Sequence, residues 1–237
     1  MKFLIAISCV LALLMPRAVQ AGNGQCTNAL EQVLNHYNTT MMGAAELYLE
    51  MRTQNFLDEQ PGQAVTTKMW KAGELMRMEC NYFTLYKDAQ HEVMILHDAR
   101  SIIVRDLSQL ATGNNASEAV KIADPIAAML GQAETVNCST PGQLEMAYPS
   151  TLTTQYGTLQ SASIAYEPES GRFLKGEYTF DYEGGTLLMV NEITQVNYQP
   201  TAVPFTGTAL AQVQHNGQLK APYADYKFKD LRNSQTK

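Results

Sequence analysis

The chain has 237 residues, 45% of them hydrophobic and 17% charged, with 17 Lys and Arg against 23 Asp and Glu and a formal net charge of −6. That apolar content is enough for a packed core. The acidic balance, without any Lys/Arg cluster, argues against nucleic acid and anionic membrane surfaces as partners.

Residues 1–21 read as a secretory signal peptide: Lys2 is the charged start, Phe3 to Met15 the apolar core and Val19-Gln20-Ala21 the small-residue cleavage site. The apolar run is about 13 residues, short of the roughly 20 that span a bilayer. Cleavage would leave Gly22 first, with 15 basic and 23 acidic residues. Cys26 follows closely, but Gly22-Asn23-Gly24-Gln25-Cys26 lacks lipidation-box spacing and reads as an ordinary cysteine. Cys26, Cys80 and Cys138 then allow one disulfide and one spare thiol in an oxidising compartment, and the pair stays open. Residues 22–210 suit one domain, with 211–237 as a polar C-terminal tail, loose from Lys220 onward. Three N-x-S/T matches, at Asn38, Asn115 and Asn137, carry weight only in a eukaryotic source.

Asn28 with Glu31 predicts a capping-box helix start, and Leu30, Val33, Leu34, Tyr37 and Met41 recur at helical spacing up to Gly43. Ala45 to Phe56 alternates as a strand and Asp58-Glu59-Gln60-Pro61-Gly62 is a turn. Val65 to Leu107 reads as strands broken at Ala72-Gly73, Lys87-Asp88-Ala89 and Asp98-Ala99-Arg100, with Met76, Met78, Cys80 and Tyr82 on one face. Val93 to Leu96 and Ile102 to Val104 are apolar on both faces, unusual where one side of an antiparallel sheet normally meets water. Ser117 caps a predicted helix through about Ala128, with Val120, Ile122, Ala123, Ile126, Met129 and Leu130 as its stripe. Strands resume at Thr135 to Cys138 and Leu144 to Leu152. A meander closes the domain: Ser163 to Tyr166, then a run placing Leu174, Gly176, Tyr178, Phe180 and Tyr182 on one face, then Thr186 to Val196, which is apolar on both faces.

Nucleophile-elbow, phosphate-loop and zinc signatures are missing, so the sequence reads as non-enzymatic and free of cofactors. His91 and His97 fall about 20 Å apart on an unbroken strand, too far for one metal ion. Glu167, Glu169 and Glu177 are candidates for paired carboxylates, but the first two lie in a turn where acids are usually solvated, so catalysis is not expected there. The methionines, mostly within strand and helix patterns, read either as core filling or as an adaptable wall that repacks around acyl chains.

Trp70 to Met78, Tyr86 to Asp98 and Ala123 to Leu130 resemble stretches of the LolA/LolB family of periplasmic lipoprotein carriers. Trp70-Lys71-Ala72-Gly73-Glu74-Leu75-Met76-Arg77-Met78 is similar to its Trp-x-Lys-x-Pro-x-x-Phe strand pair. Tyr86-Lys87-Asp88-Ala89 with Val93-Met94-Ile95-Leu96-His97-Asp98 is similar to its Ser-Asp-Gly-Lys-x-Leu-Trp hairpin, and Ala123 to Leu130 to its Pro-x-x-x-Leu-Leu helix. The resemblance spans about Thr27 to Pro200. It implies an α+β, mostly β fold: a single antiparallel incomplete β-barrel with lid helices, binding acyl chains without catalysis. The implied cavity wall is Met76, Met78, Met94, Leu96, Met129, Tyr178, Phe180, Tyr182 and Met189. The implied partners are a lipidated protein or lipid, a membrane-bound releasing transporter and an outer-membrane acceptor, in the periplasm. The family's lid-locking arginine has no counterpart: its position falls near Ala72, beside Lys71. The competing reading is a secreted structural or protein-interaction module, or envelope sensor, on the same scaffold.

Overall fold

A computed structural model describes residues 24–107, 132–154, 156–202 and 204–232. The leader at 1–21, the predicted helix from Ser117 to Ala128 and Met129 lie outside the described residues.

Helix α1 spans Gly24–Asn35 and runs on as a π-helical segment, His36–Met42. It begins before the predicted capping box at Asn28, because Cys26 is buried and disulfide-bonded to Cys138, which anchors a turn that capping chemistry alone would not reach. Cys26, Leu30 and Val33 form its buried stripe at helical spacing.

The strands in chain order are β1 Glu46–Leu57, β2 Gln60–Pro61, β3 Val65–Ala72, β4 Leu75–Glu79, β5 Phe83–Lys87, β6 His91–Leu96, β7 Ser101–Asp106 and β8 Thr135–Asn137. They continue as β9 Gln143–Ala147, β10 Thr153–Thr154, β11 Gly157–Tyr166, β12 Phe173–Tyr182, β13 Gly185–Asn197, β14 Gln214–His215, β15 Gln218–Leu219 and β16 Lys227–Asp230. One predicted strand is cut. Cys80 and Tyr82 do not continue the face of Met76 and Met78 but lie in the β4–β5 turn, which Cys80 N–H closes onto the Phe83 carbonyl at 2.9 Å. Neither glycine nor proline marks that turn, and Asn81 is its single strong turn former.

The chain divides into two compact units with interleaved segments: 1–42, 54–63 and 117–192 in the first, and 43–53, 64–116 and 193–237 in the second. Strands β1 and β13 contribute residues to both. In the first unit the strand order is β13-β12-β11-β9-β8, all antiparallel. Its core is Leu144, Met146, Leu159, Ala162, Ile164, Phe173, Tyr178 and Phe180, each at most 4% exposed. Leu174 departs from the predicted face. Ala165 pairs with Lys175 while Tyr166 pairs with Phe173, so Leu174 is the unpaired residue of a bulge, and Phe173 takes the inward place.

In the second unit the order is β16-β7-β6-β5-β4-β3-β1. Every pairing there is antiparallel except β16 with β7, which is parallel, so the sheet is mixed. The stretch expected to trail as a polar tail is ordered as far as residue 232: β14 and β15 form a hairpin, and β16 places Lys227 to Asp230 beside Ser101 to Val104. Phe205, Ala209 and Val213 bury Val93, Ile95, Ile102 and Val104 completely, with Leu219, Tyr223, Tyr226 and Phe228 packed around them. Those apolar residues are spaced too irregularly for a periodicity reading. The strand order of the first unit ends on β8 and that of the second on β16; neither closes into a ring.

Candidate functional site

Antiparallel pairing puts directly opposite residues on one face, so the register across β1 and β3–β7 defines two faces of the second unit. One cross-strand row reads Leu49–Met69–Met78–Leu85–Met94–Ile103. Two residues along each strand toward one edge, the same face reads Leu47–Lys71–Met76–Lys87–Glu92–Arg105. Toward the other edge it carries Met51, Thr67, Phe83 and Leu96. Of the predicted wall residues, Met76, Met78, Met94 and Leu96 therefore share one face.

The two faces differ in cover. Val93, Ile95, Ile102 and Val104, on the opposite face, are all at 0% exposure, whereas Met94, Leu96 and Ile103, their immediate neighbours, are half-buried. Met76, Met78, Leu49 and Met51 are half-buried too. The opposite face also holds a half-buried stacked row: Tyr48 lies 5.2 Å from Trp70, and the Arg77 guanidinium sits over Trp70 at 5.2 Å and over Tyr86 at 5.9 Å. Tyr86 in turn meets Phe205 edge-on at 5.4 Å. Over β6 and β7 both faces are thus apolar, as the two-sided strands predicted: the C-terminal segment covers one, while the other is methionine-rich and mixed in exposure, with Leu47, Met69 and Leu85 buried and Met76, Met78, Met94 and Leu96 half-buried.

The charged row at its edge is electrostatically distinct. Glu92 is 2% exposed and bonded by Arg105 at 3.2 Å. Burial raises its carboxyl above the usual value, against the lowering pull of Arg105 and Lys87. Burial, then the neighbouring Lys87 charge, lowers the Lys71 ammonium. Periodicity reasoning passed over these lysines because it ranked apolar residues. The signal was available locally: Lys71 has the strand parity of Met69, and Lys87 that of Leu85.

The other predicted wall residues fall in the first unit. Tyr178 pairs with Met189, Phe180 with Leu187 and Tyr182 with Gly185. Tyr178 and Phe180 are 1% exposed and form core, while Met189 and Tyr182 are half-buried. A 420 Å³ groove along α1 and the π-helical segment, lined by residues including Asn28, Gln32, His36, Thr39 and Ser170, is polar, unlike the apolar cavity the resemblance implies. Beside it Gln32 Nε2 donates to the carbonyls of Pro168 and Glu169, docking the helix on the β11–β12 turn.

The remaining polar candidates take structural parts. His97 Nε2 lies 3.0 Å from Thr84 Oγ1, and the His91 backbone N–H donates to Asp88. Glu167 pairs with Arg172 at 3.1 Å and Glu177 with Lys175 at 2.7 Å. Among the described residues no group of three or more His, Cys, Asp or Glu could hold a metal ion. No described helix is long and apolar enough to cross a membrane.

No protein-family profile and no curated protein matches the chain. Solved structures do. An uncharacterized conserved protein from Thermus thermophilus is 9% identical, with 87% of this chain and 99% of that one covered and a TM-score of 0.41. A LolA superfamily protein from Nitrosomonas europaea is 10% identical, with 75% and 94% covered and a TM-score of 0.33. LprF from Mycobacterium bovis is 12% identical, with 76% and 97% covered and a TM-score of 0.36.

Proposed function

We propose that this chain is a carrier-like binding protein that holds acyl chains of a lipid or lipidated protein against an apolar sheet face and performs no chemistry on them. The observation that carries this reading is the half-buried set Met76, Met78, Met94 and Leu96 on one sheet face, opposite the Val93, Ile95, Ile102 and Val104 positions that the C-terminal segment covers. Unbranched thioether side chains repack around varied apolar shapes at little cost. In the first unit, Met189 and Tyr182 are the wall candidates, on the same sheet face as the packed Tyr178 and Phe180; Met129 belongs to the proposal from sequence alone. The N-terminal leader pattern and the Cys26–Cys138 disulfide support a periplasmic or other oxidising compartment. A releasing transporter and a membrane acceptor are the partner classes such a carrier requires.

The test is displacement of a fluorescent acyl probe from natively purified protein, with mass spectrometry of its organic extract. Met94→Asp places a charge on the proposed wall and should abolish probe binding. Thr66→Asp, exposed on the opposite face, should leave it intact. A parent protein that neither binds probe nor yields lipid on extraction overturns the carrier reading and leaves the interaction module.

A further inference from the structure

The charged row that borders the methionine face is unlike the rest of this acidic chain. It holds three cations, Lys71, Lys87 and Arg105, and one carboxylate, Glu92, on a single cross-strand line. The acidic residues of the same strands, Glu46, Glu50, Glu79 and Asp106, have the opposite parity and point to the other face. The line is therefore net positive on a protein whose total is −6. Arg105 is engaged with Glu92 at 3.2 Å. Lys71 and Lys87 flank Met76 as neighbours on either side, so with strands about 4.8 Å apart their backbones are about 10 Å apart. Two four-carbon stems of that separation can bring both ammonium groups to one anion above the Met76 thioether.

From that line the face runs neutral. Met69, Met78, Leu85 and Met94 come next, then Phe83 and Leu96, about 14 Å along the strands from the lysines at about 3.4 Å per residue. A cationic edge followed by a neutral, repackable surface is complementary to a molecule with an anionic head and an apolar chain. Burial and the nearby Lys87 charge both disfavour the Lys71 ammonium, a local concentration of positive charge to which an anion is complementary.

We propose that the ligand of this face is an acyl lipid with a phosphate headgroup, its phosphate held between Lys71 and Lys87 and its chain laid along the half-buried Met78, Met94 and Leu96. Phosphate suits the pair because lysine binds it as a point charge and its several oxygens accept from two ammonium groups at once. The inference rests on the acyl-binding reading above and adds the class of headgroup.

Titration calorimetry with the disulfide-intact chain separates the two claims, using monomeric oleoyl lysophosphatidate, the neutral monooleoylglycerol of the same chain, and inorganic phosphate. The phospholipid should bind about tenfold more tightly than the neutral lipid, the size of one charge-assisted contact. Lys71→Gln/Lys87→Gln should erase that preference while leaving monooleoylglycerol affinity unchanged, which also reports that the variant is folded. Lys68→Gln, on the opposite face beside Glu50, should keep it. Equal affinities in the parent overturn the headgroup site and leave acyl binding standing. Failure of both lipids to bind removes the acyl reading and this inference with it. Binding of inorganic phosphate as tightly as the phospholipid also overturns the proposal, in favour of a soluble-anion site.

Discussion

The Asp88 carboxylate, in the β5–β6 turn, accepts the backbone N–H of Ala209 at 2.6 Å, a link across 121 residues that ties the C-terminal segment to the sheet it covers. The same side chain accepts from the N–H groups of Gln90 and His91 at 2.8 and 2.7 Å. Burial pushes this carboxyl up, but the Ala209, Gln90 and His91 donors together outweigh it and hold it below its ordinary 3.8.

Asp88→Ala should therefore cost about 3 kcal/mol, because Ala209 N–H would be left buried without an acceptor. A carboxyl depressed in the folded state contributes stability that is complete above its unfolded value of about 3.9 and is lost as pH falls through the folded value. The melting-temperature gap between parent and Asp88→Ala should be full at pH 7 and shrink as pH falls below the unfolded value and through the lower folded one. A gap that stays constant with pH would show that the carboxylate's charge is immaterial.

Glu92 titrates in the other direction. Its folded value is raised above 4.5, chiefly by burial, so its contribution to stability falls as pH rises from the unfolded value through the folded one. Its side chain is 3% exposed and that of its partner Arg105 is 37% exposed. Arg105→Leu should cost about 2 kcal/mol, less than for a fully buried pair, by stranding the carboxylate. Adding Glu92→Gln should recover most of that loss in denaturant unfolding; a double variant as unstable as the single would place the cost elsewhere.

Gly176 lies beneath the Tyr178 ring. A Cβ there would come within 2.6 Å of the Tyr178 hydroxyl and 2.8 Å of its ring, and the ring, 1% exposed, has nowhere to move. Gly176→Ala should destabilise by about 1 to 3 kcal/mol through overpacking, and Gly176→Ala/Tyr178→Leu should cost less than the sum of its parts. Strict additivity in thermal unfolding would deny the contact.

The Cys26–Cys138 bond closes a loop with a sequence separation of 112 and joins α1 to the segment after β8. Replacing both cysteines by alanine should cost up to about 4 to 5 kcal/mol on the chain-entropy account. Thiol titration of the unfolded, non-reduced mature chain should find a single free group, at Cys80. Peptide mapping that links Cys80 to either partner would contradict this assignment.

Much of this fold follows from local pattern. The meander of β11, β12 and β13 sits where alternation and the turns at Glu167–Gly171 and Glu183–Gly185 placed it, since side-chain parity and turn chemistry depend only on neighbours a few residues away. The same parity put Met76 and Met78, and Met94 and Leu96, on common faces within their own strands. Relations between distant segments were decided by tertiary structure alone. Which cysteine pairs with Cys26, which register lines Lys71 and Lys87 up on either side of Met76, and the parallel docking of Phe228 beside Ile102 all depend on chain-distant contacts. So does the bulge that turns Leu174 outward and Phe173 inward, because a single extra residue in one strand is visible only against its partner. The division of labour between the two apolar faces has the same origin: alternation marks a side chain as apolar, but whether it meets Phe205 and Val213 or a half-open methionine surface depends on where residues more than a hundred positions away come to rest.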